Sequence, residues 1–158
     1  MKQFCLILLV LSVNSCDYFN VKKTSSEAIL QEELQTFDWE NVDTYPSFSQ
    51  CDSLHLKEEK RVCFESTVYA EISEFLQQQI IIVTQDVNDT LILKLRVSNT
   101  GEISLLNAKM DSLTKAEIPE LEKLILRSLD TLPKINPAIK RSQPVSTEFE
   151  LPLIVKVN

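Results

Sequence analysis

From Phe64 the apolar positions Phe64, Val68, Ile72, Phe75 and Leu76 recur every three or four residues. That is the spacing of one helix face and predicts a helix running to about Gln79. The period then changes. Leu91, Leu93, Leu95 and Val97 alternate with Ile92, Lys94, Arg96 and Ser98, which predicts a strand with one apolar and one mixed face. Asn99-Thr100-Gly101 interrupts the alternation, and Gly101 is the only glycine in the chain. A lone glycine at a reversal points to a positive φ there, so Glu102 to Leu106 is read as the second arm of a hairpin.

Two further segments complete the pattern. Ile118, Leu121, Leu124, Ile125, Leu129 and Leu132 lie on one helical face. The helix start is open between two solutions. Thr114 and Glu117 have capping-box spacing, with Leu113 and Ile118 as a staple; alternatively Pro119 opens the helix at its first position. Pro133 and Pro137 end it. Val145 to Val157 then alternates through Val145, Thr147, Phe149 and Leu151 up to Pro152, so this strand is expected at a sheet edge or with a bulge. Ile80-Ile81-Ile82-Val83 is too short for a helix and is either a brief strand or a buried connection. Helix, strand, turn, strand, helix, strand implies an α+β domain: a small three-stranded antiparallel sheet with two helices packed on one face.

Upstream, Thr24 precedes Glu27 at capping-box spacing, and Ile29, Leu30, Leu34 and Phe37 follow at helical intervals. A short amphipathic helix is expected there. Asp38 to Pro46 reads as extended or turning, because Pro46 biases Tyr45 away from helix.

Charge and motifs narrow the function. The chain carries 16 Lys and Arg against 23 Asp and Glu, a net charge of −7. No basic cluster longer than Lys140-Arg141 offsets this, so the chain is not expected to bind nucleic acid. There is no G-x-S-x-G, no H-E-x-x-H and no Gly-rich phosphate loop. His55, the only histidine, falls in a charged stretch between Asp52 and Arg61 and reads as a solvated surface residue. The adjacent acids Glu32-Glu33 and Glu58-Glu59 point to different helix faces or to solvent. The expectation is therefore a non-catalytic protein without a cofactor or metal.

The first residues carry an address. Lys2 introduces the apolar run Phe4-Cys5-Leu6-Ile7-Leu8-Leu9-Val10-Leu11, and Val13-Asn14-Ser15 leads to Cys16. A basic start, a short apolar core and small residues describe a secretory signal peptide over residues 1–15. The run is far shorter than the roughly 20 residues of a spanning helix. With Cys16 next, the segment resembles the lipobox of bacterial lipoproteins, which implies a diacylglyceryl and acyl anchor such as palmitate on Cys16. Asn14 departs from the usual Ala, Ser or Thr. The alternative is an ordinary secreted protein cut near Ser15. Loss of residues 1–15 removes only Lys2 among the charged residues and leaves a net −8. Export puts Cys51 and Cys63 in an oxidising compartment, where a structural disulfide is favoured over a zinc site with His55.

The closing segment, Leu132-Pro133 through Pro137-Ala138, Lys140-Arg141, Gln143-Pro144-Val145 and Leu151-Pro152-Leu153, resembles the end of the TonB C-terminal domain. Tyr45-Pro46-Ser47-Phe48, then Cys51 and Cys63-Phe64, is similar to the start of that domain in Bacteroidetes members. Ser142 stands where that family commonly has glycine. The resemblance runs from about Pro46 to Val157. It implies three regions: a signal peptide over 1–15, a lipidated tether with a short helix over 16–45, and the α+β domain over 46–158. The spanning helix and Pro-rich rod of the family's energy transducers have no counterpart here. In the resembled family the last strand binds an extended segment of an outer-membrane receptor. Carried over by position, the candidate edge is Val145, Ser146, Thr147, Glu148, Phe149, Glu150 and Leu151, with envelope proteins as partners. An ordinary edge strand, guarded by Glu148 and Glu150, is the competing reading. The functional alternative is a periplasmic lipoprotein that binds a small ligand or peptide between helices and sheet.

Overall fold

In the computed structural model the described residues are 42–158 together with a two-residue strand, β1 (Phe37–Asp38). Cys16 and the expected helix from Thr24 fall outside them, except that Phe37 belongs to a strand and not to the end of that helix. The described residues form one compact unit.

The described elements are β2 (Ser47–Phe48), a 3-10 turn (Ser49–Cys51), α1 (Lys57–Gln77), β3 (Val87–Val97) and β4 (Ile103–Lys109). These are followed by α2 (Ser112–Glu117), α3 (Leu121–Leu129), β5 (Ile135–Asn136), β6 (Ala138–Lys140), β7 (Gln143–Val145) and β8 (Thr147–Val157). The main sheet has the order β1-β8-β3-β4. It is four-stranded, not three, because β1 adds in parallel to the start of β8. Its three long strands are antiparallel, as expected. Two further two-stranded ribbons, β2-β5 and β6-β7, lie outside the expected sheet.

The alternation read in the sequence sets the layers. Leu91, Leu93, Leu95 and Val97 of β3 and Phe149, Leu151, Leu153 and Val155 of β8 are all buried. Their even-numbered neighbours are exposed or partly exposed, so one face of the sheet carries the helices and the other meets solvent. Phe64, Val68 and Ile72 of α1 have no exposed surface, and Leu121 and Ile125 of α3 complete the same core. Phe64 stacks on Phe48 and meets Phe149 edge-on.

Helix α1 begins two turns before Phe64. Its first turn carries Glu58 and Glu59, favourable beside the positive end of the helix dipole, and the Leu56 N–H donates to Glu59 Oε2 (3.4 Å). Apolar spacing was silent here because this turn is solvent-facing and held by charge, as in the Arg61–Glu58 pair at 2.9 Å. Neither start read for the second helix holds: it is two helices, α2 with Asp111 and α3 with Glu120 at their N-caps, broken at Ile118-Pro119-Glu120. Proline cannot donate in the interior of a helix, so α2 stops before it and α3 restarts after it. Ile80–Val83 is neither a strand nor fully buried: Ile81 and Val83 pack on the core while Ile80 and Ile82 are 93% and 84% exposed.

Cys51 and Cys63 form a disulfide with Cα atoms 5.9 Å apart, tying the 3-10 turn to α1. Closing so short a loop contributes about 3 kcal/mol in the chain-entropy account. The core also reaches upstream of Pro46, for Val42 and Tyr45 are buried. Lys57 Nζ donates to the Val42 carbonyl (2.7 Å) and lies 4.6 Å from the Tyr45 ring centre. The end of the tether expected over 16–45 is therefore part of the folded unit.

Candidate partner-binding edges

Strand β8 pairs with β3 over its whole length, from Thr147↔Val97 to Val157↔Val87, with no register shift. Pro152 stands opposite Ile92 within that ladder. A proline fits an unbroken ladder where its missing N–H faces away from the partner strand. Even-numbered residues of β8 from Glu148 to Lys156 therefore aim their backbone groups at the outer edge. The parallel pairing of Phe37 with Thr147 and Asp38 with Glu148 uses that same edge. Beyond Glu148 the edge has no paired strand among the described residues.

The seven residues expected to form the edge divide four ways. Val145 ends β7, opposite Ala138, and is not part of the edge. Ser146 is the junction, and its Oγ accepts from the Asn99 N–H (3.1 Å). Thr147 and Glu148 are on β8 but face β1. Phe149, Glu150 and Leu151 lie on the open part, which continues to Val157. The side chains of Thr147, Phe149 and Leu151 are buried under the helices. Glu148, Glu150, Ile154 and Lys156 lie on the solvent face.

Glu148 anchors that face. It accepts from Arg96 Nε (3.1 Å) and Nη2 (2.5 Å) and pairs with Lys94 Nζ at 2.9 Å. Hydrogen bonds from Arg96, then Lys94, hold its carboxyl below the usual range. Its role is to brace β8 against β3 across the strand pair.

The opposite edge of the sheet, β4, was not singled out by the sequence. A β-bulge separates Leu105 from Asn107, and Asn107–Lys109 then runs straight beside the α2–α3 break. A groove of about 260 Å³ lies there, lined by Asn107, Ala108, Lys109, Met110, Lys115, Ile118, Pro119 and Glu122. The expected second hairpin arm ended at Leu106, short of these residues, and the helix break that forms the far wall was undecided in the sequence.

Other chemistry is sparse. His55 is exposed, and the thiols beside it in sequence are joined in the disulfide. Among the described residues no group of three or more His, Cys, Asp and Glu is placed to hold a metal ion. No helix among them is long and apolar enough to cross a membrane. No family model matches this chain, and neither a curated protein nor a solved structure matches it.

Proposed function

We propose that this is a non-catalytic, lipid-anchored envelope protein of bacteria whose TonB-C-terminal-like domain binds an extended segment of another envelope protein. The segment adds as a strand to the outer edge of β8, where main-chain hydrogen bonds supply affinity and alternate side chains supply choice. One observation carries the reading: β1 already adds in parallel at Thr147 and Glu148, and the same edge continues unpaired through Phe149–Val157 among the described residues. The order helix, hairpin, helices, closing strand also agrees with the family resembled in the sequence. The anchor is Cys16, with two or more acyl chains holding the protein to a bilayer at about 0.8 kcal/mol per buried CH₂.

A photo-crosslinking residue at Glu150 or Ile154 of the full chain, in its native envelope, should capture a defined partner. Ile154→Pro removes an outward-facing donor without breaking the β3 ladder and should abolish the capture. Capture that survives this change removes the edge from the mechanism. Cys16→Ser should move the protein from the membrane to the soluble fraction; if it stays with the membrane, the anchor is wrong.

A further inference from the structure

We propose that the outer edge of β4 is a second strand-addition site, taking an extended acidic peptide segment whose apolar side chains enter the groove against α2 and α3. The inference starts from backbone geometry. Residues of β3 that face away from β8, such as Ile92 and Lys94, bond to Lys109 and Asn107, so Ala108 turns its N–H and C=O outward. The Ser98 N–H bonding to the Glu102 carbonyl (2.8 Å) follows the same parity. Those outward groups have no paired strand among the described residues.

Edges left open invite unwanted pairing, and a bulge is one of the devices that blunts them. Here the register shift around Leu106 blunts only the first half of β4. The half left straight is the half that borders the groove. The occupant follows from size and charge. At about 260 Å³, the groove falls below the roughly 300–1,000 Å³ of small-molecule pockets. It suits side chains of a segment lying along β4, with Ala108, Met110, Ile118 and Pro119 as the apolar surface. The Lys109 side chain lies on the solvent face of the edge, the face of Ile92 opposite it, while Lys115 and Glu122 balance each other at the helix wall. The positive excess left at Lys109, on a chain of net −7, selects acidic over basic segments. With β8 at the other end of the same sheet, the domain would join two extended segments through one continuous ladder.

Hydrogen exchange on the full chain tests this with two blocked pentapeptides, Val-Glu-Val-Glu-Val and Val-Lys-Val-Lys-Val. The acidic probe at millimolar concentration should slow exchange at Ala108 and Met110 at least fivefold, and the basic probe should not. Lys109→Glu, a surface change, should remove the effect, as should Ala108→Pro if that variant keeps its fold. Unchanged exchange at 107–110, equal protection by both probes, or protection that survives Lys109→Glu would overturn the proposal. Protection confined to 149–157 would also overturn it, while upholding the β8 site.

Discussion

Phe64 of α1 meets Phe149 of β8 edge-on, with ring centroids 5.6 Å apart. The same Phe64 stacks on Phe48 at 5.1 Å, so one helix residue joins the N-terminal arm to the candidate binding strand. It has no exposed surface. Phe64→Ala should therefore cost about 3–5 kcal/mol in urea unfolding, the usual penalty for emptying an aromatic core site. Amides of β8 should lose hydrogen-exchange protection with it. A cost below about 1 kcal/mol would show that the helix and the strand are not held through this ring.

Gly101 has φ +86°, and a Cβ placed on it would overlap the Ile135 carbonyl oxygen. The hairpin turn thus needs glycine twice, for its left-handed backbone and for the close approach of the β5 strand. Gly101→Ala combines a left-handed penalty of about 1–2 kcal/mol with an overpacking cost of about 1–3 kcal/mol. Thermal unfolding of the variant should show a summed loss of about 2–5 kcal/mol. A near-neutral result would mean that the Ile135 segment is free to move away.

Arg141 and Ser142 join β6 to β7 with φ of 49° and 63°, both positive. Such two-residue reversals favour glycine and asparagine. The Asp43 carboxylate accepts from the Arg141 N–H (2.6 Å) and braces the first of the two. Ser142→Gly should stabilise the domain by about 0.5–1 kcal/mol, the left-handed penalty relieved less the entropy that glycine adds to the unfolded chain. A lower melting temperature for this variant would contradict the strain.

Among the described residues, three carboxylates are held below their ordinary values. Thr84, through its N–H and hydroxyl, and the Gln85 N–H lower Glu117. Burial by itself would raise Asp89, but the Asp111 N–H, the Thr114 hydroxyl and the Thr90 N–H outweigh it. Arg96 and Lys94 lower Glu148. A depressed folded pKa stabilises fully above the unfolded value, 4.5 for Glu and 3.8 for Asp, and its benefit vanishes as pH falls through the folded value. Glu65 runs the other way: burial raises it despite Arg61, with Glu58 adding to the rise, so its protonation relieves the fold. Net stability should decline below about pH 4.5 in urea titrations, three groups against one. Glu117→Gln with Asp89→Asn should flatten that decline, and an unaltered acid limb would remove these contacts from the balance.

Much of the architecture is legible in local chemistry. Alternation over Leu91–Val97 marks β3 because strand side chains repeat every second residue, and the only glycine marks the turn. Pro119 left the helix start undecided between two solutions, and Pro152 called for an edge position or a bulge on β8. The expected edge was set too early, however. Val145 looks continuous with Thr147 and Phe149 in the alternation, yet it ends a separate ribbon with β6. Alternation records which face a residue shares, not which neighbour its backbone meets.

By itself, the sequence determined the helix and strand faces, the hairpin reversal and the cysteine pair. Each of these depends on side-chain period, a special backbone angle or a short motif, all properties of neighbouring residues. Only the tertiary structure decided that β1 covers Thr147 and Glu148, that β8 has no further paired strand beyond them among the described residues, and that β4 borders a groove. Those depend on backbone groups brought together from residues far apart in the chain, and every residue carries the same N–H and C=O, so no local pattern distinguishes a paired edge from a free one.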